Sequence, residues 1–175
     1  MNRETTAMPR VELRPGELYT AGEPTVITTL LGSCISICLY SPALRIGGMC
    51  HAVLPAAAGR QACDDPRYVN CALRIMMSEL GGMGAAPGLM EAKIFGGADM
   101  FPQVKGMPVN VNLVGANNVQ AARTALAAAR INVVNECVGG PCGRRLLFNS
   151  ATGEVLVKLV GGPPRGMHGL TSAGG

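Results

Sequence analysis

The chain contains no tryptophan, and tyrosine and phenylalanine together make up only 3% of its 175 residues. A core of stacked aromatics is thereby excluded, and the interior must be filled by aliphatic side chains, cysteine and ten methionines. No uninterrupted apolar run approaches the roughly 18 residues that a membrane-spanning helix needs. The opening MNRETTAMPRVELRPGEL lacks the apolar segment of a secretory signal, so the expected location is cytoplasmic and the protein is not expected to be membrane-embedded. There is no Cys-x-x-Cys, and His51 and His168 are the only imidazoles, which argues against a zinc ribbon or finger. Charge says little more. A formal +4 arises from scattered arginines without aromatic stacking platforms, which is a poor basis for nucleic-acid binding and fits an acidic protein partner as well.

What the chain does have is apolar material, 48% of it, enough for one compact domain. That domain is placed at residues 16–160, between a polar N-terminal arm at 1–15 and a Gly/Pro-rich tail at 161–175 that is expected to be disordered. The seven cysteines, odd in number and irregular in spacing, are expected to be thiols. The stretch TVITTLLGSCISICL reads as strand, tight turn at Gly32-Ser33, strand, with a third strand at 46–54. A helix is expected from an Asp64 or Asp65 cap, with Pro66 at its first position, to Gly81-Gly82. Strands follow at 90–95 and 109–114, then a helix capped by Asn117 or Asn118, then a strand at 131–138 and a closing hairpin at 145–160. Strands outnumber helices and hairpins outnumber crossovers. The fold class is α+β, with antiparallel or mixed β-sheets covered by two main helices.

The first hairpin brings two reactive groups together. With residues 41–44 as its loop, Tyr40 faces Arg45 and Cys34 falls directly opposite His51, where Cβ atoms stand about 4.5–5.5 Å apart on one face. A bulge at Gly47-Gly48 would shift the register by one and separate them. Ile35, Ile37 and Leu39 form a core-facing set, which leaves Cys34, Ser36, Cys38 and Tyr40 on a face open to chemistry. Cys34 and Cys38, about 13 Å apart along a strand, are not expected to form a disulfide. An imidazole beside a thiol can favour the thiolate and later protonate a leaving amine. Gly32 permits a tight turn, the N–H groups of Ser33 and Cys34 can hold an oxyanion, and Thr28 or Thr29 can orient the imidazole. The competing reading is structural: a small buried cysteine beside a hydrogen-bonded histidine.

The segment TLLGSCISICLYSPALRIGGMCHAVLP resembles the signature of the CheD family of chemoreceptor glutamine deamidases, with its G-S-C element, C-L-Y-D-P-like turn and G-G-M-x-H-x-x-L-P run. DDPRYVNCAL resembles that family's helix start, AKIFGGADMF its Gly-Gly-Ala loop and GGPCGRRLLFNSATGEVLVKLV its C-terminal hairpin, so the likeness extends over about residues 16–160. It implies a cysteine-hydrolase sandwich similar to the deamidating toxins of the cytotoxic necrotizing factor type. It also implies a protein-glutamine deamidase with Cys34 as nucleophile, His51 as general base and acid, and Thr28 orienting His51. Backbone N–H groups of Ser33 and Cys34 would hold the oxyanion. Apart from the resemblance, the glycines of FGGADMF allow close approach of a partner backbone, so Gly96, Gly97 and Phe101 are candidates for a substrate or partner loop, with a turn held by two anchoring aromatics as the equal alternative. The implied partners are methyl-accepting chemotaxis receptors as substrate and a CheC-type phosphatase; no cofactor and no metal is implied. Two positions depart from the family's pattern: Cys50 stands where Asn is usual, and VGANN lacks an arginine. Arg144-Arg145 offers a docking point for an acidic receptor surface, with plain surface arginines as the alternative. The rival function is a non-catalytic adaptor that binds receptors or a CheC-like phosphatase. A papain-like peptidase fits less well, for want of that family's downstream His and Asn.

Overall fold

Alternation along one central strand decides the architecture. The computed structural model describes residues 8–57, 64–99 and 113–161. Its strands are β1 (Arg10–Glu12), β2 (Leu18–Ala21), β3 (Val26–Leu31), β4 (Ile35–Ser41), β5 (Ile46–Cys50), β6 (Glu91–Gly96), β7 (Asn132–Val138), β8 (Gly143–Asn149) and β9 (Val155–Val160); its helices are α1 (Val69–Gly82) and α2 (Leu113–Ala128). The strands form a four-stranded sheet, β1-β3-β8-β9, and a five-stranded sheet, β2-β5-β4-β6-β7. Only the β1–β3 and β6–β7 pairings are parallel. This is the α+β fold with mixed sheets that the sequence led us to expect.

Odd-numbered residues of β4, Ile35, Ile37 and Leu39, pack with Leu73, Met76 and Leu80 of α1 and Val119, Ala122 and Leu126 of α2. On the opposite face Cys38 joins Met49 and Phe95 of its own sheet and meets Ile27, Leu31, Leu146 and Phe148 of the other. The layers are therefore sheet, sheet, helices. The even-numbered face of β4 is not open to solvent as expected: the four-stranded sheet covers it, and Ser36 and Cys38 are buried.

Several boundaries move, each for a local reason. The arm expected over residues 1–15 ends before Arg10, because β1 adds in parallel to β3, with hydrogen bonds from Val26 N to Pro9 O (2.8 Å) and from Leu13 N to Thr28 O (2.8 Å). Helix α1 begins after Tyr68, which has no side-chain cap. Asp65 instead accepts the Arg67 N–H at 3.0 Å and pairs with its guanidinium, a local turn that competes with capping. Leu113 and Val114, expected in a strand, start α2, and Asn117 and Asn118 lie inside that helix rather than capping it. Cys71 is disulfide-bonded, contrary to the expectation from the odd number and irregular spacing of the cysteines, whereas Cys34, Cys38, Cys50, Cys137 and Cys142 are free. Arg144 is buried: it donates to Cys142 O (3.1 Å) and Gly139 O (2.6 Å), so it braces the glycine-rich loop and offers no docking point. Phe101, residues 109–112 and the tail from residue 162 lie outside the described residues.

Candidate active site

Between β3 and β4 the chain reverses through Gly32, Ser33 and Cys34, and the end of β6 sits against that turn. Ala98 N donates to Gly32 O (2.9 Å) and Gly97 N donates to Cys34 O (2.8 Å). Gly96 has φ +112°, and a Cβ there would run into the Cys34 carbonyl oxygen, so only glycine allows this approach. Gly96 and Gly97 are buried behind this turn, and Gly97 also lines a cavity of ≈ 540 Å³ together with Asp99, Gly115 and Val119. Among the described residues no backbone carbonyl accepts the N–H of Ser33 or Cys34. The carbonyls of the turn are anchored while its donors stay free, which is the arrangement that holding an oxyanion needs.

The β4–β5 register differs from the expected one by two residues. Ser41 pairs with Ile46 and Cys38 with Met49, and Ile35 bridges Ala52, so the loop is 42–45. Arg45 closes it at φ +56°, its N–H bonded to Ser41 O at 2.8 Å. A slip of two preserves which face each side chain takes, whereas a slip of one would have reversed it. Cys34 and His51 therefore keep a common face but are diagonal rather than directly opposite, a relation that sets Cβ atoms roughly 7–8 Å apart. Gly47-Gly48 pairs regularly, without the bulge that would have separated them. Among the described residues no hydrogen bond joins Cys34 Sγ to His51.

His51 is 2% exposed, and its backbone is held by Glu17 O, which accepts the His51 N–H (2.8 Å), and by Gly16, whose N–H donates to His51 O (2.7 Å). Its Nδ1 lies 2.7 Å from Thr29 Oγ1, and that hydroxyl also lies 2.9 Å from Leu13 O. A hydroxyl has one proton and Leu13 O can only accept, so Thr29 donates to Leu13 and accepts from Nδ1–H. This tautomer leaves the Nε2 lone pair free for a proton. Thr28 is not the orienting residue: its Oγ1 donates to Leu146 O at 2.8 Å. Strand parity is the reason. Ile27 and Leu31 face the other sheet, and Thr29, midway between them, must share their face.

Burial works in one direction on both groups. It pushes the Cys34 thiol above its ordinary pKa, only partly offset by the residue's own N–H, and it pulls the His51 imidazole below its ordinary value, partly offset by Leu13 O and Glu17. Both shifts favour neutral thiol and neutral imidazole over the thiolate–imidazolium pair that an imidazole beside a thiol can form. A cleft of ≈ 410 Å³, lined by Glu12, Leu13, Arg14, Pro15 and Leu30, opens onto His51.

The two threonines make a sharp comparison. Thr29→Val is expected to lower kcat by about 10²-fold, since a freely rotating imidazole loses its tautomer and aim. Thr28→Val is expected to leave kcat within a few-fold and to cost about 1 kcal/mol of stability. Turnover and thermal midpoints of both variants check this, and a larger kcat loss for Thr28→Val would reverse the assignment.

Residues 53–159 match the family model described as CheD chemotactic sensory transduction. The chain is 40% identical over 152 residues to the probable chemoreceptor glutamine deamidase CheD 2 of Geobacter sulfurreducens, covering 86% of this chain and 90% of the relative. It is also 40% identical over 149 residues to the chemoreceptor glutamine deamidase CheD of Thermotoga maritima, covering 84% and 90%. Among solved structures, a Bacillus licheniformis hypothetical protein, YfiH, aligns with TM-score 0.43 and 12% identity, over 76% of this chain and 60% of that one. The family model begins beyond Cys34 and His51, at residue 53, whereas a match over 86% of 175 residues has to span both positions. With more than half of its length matched by the family model and relatives at this identity, the chain belongs to the CheD family.

Proposed function

We propose that this protein hydrolyses the side-chain carboxamide of glutamine residues in chemoreceptors, converting them to glutamate and releasing ammonia. The observation that carries the reading is the Thr29–His51 hydrogen bond, because it holds the tautomer in which Nε2 can act as a base, close in the fold to a free thiol in an anchored turn whose N–H groups no described carbonyl accepts. The names of the relatives point to the same substrate class.

As Cys34 Sγ attacks the carboxamide carbon, its proton passes to His51 Nε2, and the oxyanion falls to the N–H groups of Ser33 and Cys34. His51 returns the proton to the leaving nitrogen, which departs as ammonia and leaves a thioester. His51 then takes a proton from water as that water adds to the thioester, and the proton goes to sulfur as it leaves. The products are glutamate and free Cys34 thiol. Because both groups start neutral, each step transfers a proton without leaving an unpaired charge in a buried site. A CheC-type phosphatase that competes with receptors for this face belongs to the same reading.

The test is peptide mass mapping of a chemoreceptor cytoplasmic domain from the same host after incubation with the protein. Gln-to-Glu conversion at defined positions is the expected result. Binding without conversion would replace the hydrolase reading with that of an adaptor in which Cys34 is idle.

A further inference from the structure

Asn118 projects from α2 and is fully buried, at 0% exposure. Its Nδ2 donates to Ser33 O at 3.1 Å and to Val53 O at 3.3 Å. Ser33 immediately precedes the Cys34 nucleophile, and Val53 lies two residues beyond His51. Both acceptors are carbonyls, so the nitrogen of the carboxamide has to point at them; the reversed amide would set oxygen against oxygen. The orientation leaves Oδ1 buried with no hydrogen-bond partner among the described residues. Buried polar atoms normally find partners, so an orphaned acceptor marks a side chain held in place for what its other end does.

We propose that Asn118 is a positioning residue whose single NH₂ group clamps the nucleophile turn to the His51 strand and, through the Ser33–Cys34 peptide, aims the Cys34 N–H at the oxyanion. The inference rests on the deamidase reading above and deepens it. In a trans peptide the C=O and the following N–H point in opposite directions, so fixing Ser33 O toward α2 turns the Cys34 N–H away from the helix. The same N–H offsets part of the burial that raises the Cys34 thiol, so a turned Ser33–Cys34 peptide would alter thiol reactivity as well. The helix is itself held at a set height. A Cβ on Gly115 would meet Gly97 O at 2.6 Å, and Gly97 is the residue whose N–H holds Cys34 O. Ser33 O and Cys34 O are thus anchored from two elements that touch each other, and the second N–H of Asn118 extends the same support to the strand carrying His51.

The experiment uses the full chain with Asn118→Ala, Asn118→Asp and Asn118→Ser, with Gln120→Ala on the exposed side of the same helix as control. Asn118→Asp keeps the shape but sets a carboxylate oxygen against two carbonyls; Asn118→Ser keeps one donor and is the mildest change if the other two fail to fold. Two readouts are taken on folded protein: kcat and KM for receptor deamidation, and the rate of Cys34 alkylation by iodoacetamide. The expected result is a kcat about 10²-fold lower for Ala and Asp with KM within about twofold, a smaller loss for Ser, slower Cys34 alkylation in all three, and no change in Gln120→Ala. Unchanged kcat in the folded variants, or an equal loss in Gln120→Ala, overturns the proposal. Alkylation needs no turnover. If the wild type deamidates nothing, the proposed function fails, while alkylation at the wild-type rate or faster would still refute the role of Asn118 separately.

Discussion

Cys34→Ala is expected to reduce Gln-to-Glu conversion by on the order of 10⁴-fold or more while leaving receptor binding and the thermal midpoint nearly unchanged. In the proposed mechanism the sulfur supplies the bond to the substrate carbon, and the free cysteines of the core do not replace it. Cys38 and Cys50 lie in the core, where burial holds the Cys50 thiol up at about 11 and Cys38 higher still. The anchoring of the turn runs through the backbone carbonyls of Gly32, Ser33 and Cys34, so truncating the Cys34 side chain leaves it intact. Mass mapping of receptor incubated with wild type and variant reads the effect directly. Conversion by the variant at the wild-type rate would move the chemistry away from Cys34 and end the thioester mechanism.

His51→Gln is expected to lower kcat by about 10²–10⁴-fold, because no other described titratable group shares its hydrogen bond to Thr29 on this face. Glutamine approximates the size of the imidazole and can still reach Thr29, but it accepts no proton at neutral pH. The pH profile adds a signed test. The folded protein holds the His51 pKa below 6.5, so the base stays neutral and active at that pH, and the rate falls only as pH drops further through the lowered value. The same shift bears on stability. The unfolded chain takes up a proton near pH 6.5 before the folded one does, so the contribution of His51 is complete above that pH and is lost as pH falls from there toward the folded pKa. Cys34 shifts the other way. Without substrate its alkylation should rise with pH along a curve whose midpoint lies above 9.0, while deamidation already proceeds at neutral pH because the proton moves to His51 during attack. An alkylation midpoint well below 9.0 would mean that a resting ion pair exists and that the neutral starting state is wrong.

The sequence determined the class of fold and singled out the two groups proposed to react. Ile35, Ile37 and Leu39 alternate in a segment too rich in β-branched residues to be anything but strand, and Gly32-Ser33 can only be a turn, so Cys34 had to sit where turn meets strand. Any hairpin register that buried the apolar set also put Cys34 and His51 on one face, and this survived a two-residue error in the pairing. Everything that depended on a second sheet or on α2 was hidden, because it rests on contacts between residues far apart in the chain. Alternation alone could not say that the even-numbered face of β4 would be covered, since the covering residues, Leu146 and Phe148, lie more than a hundred positions away. The choice between Thr28 and Thr29 waited on which face of β3 meets β5, and the tautomer of His51 on a carbonyl from the segment after β1. Asn118 read as a cap because asparagine favours helix starts, and only the docking of α2 against Gly97 turned it inward onto the nucleophile turn. Local preference selects strand, turn and helix from neighbours in sequence; the orientation of a base and the anchoring of a nucleophile are decided by whichever distant backbone groups the packed layers bring within 3 Å or so.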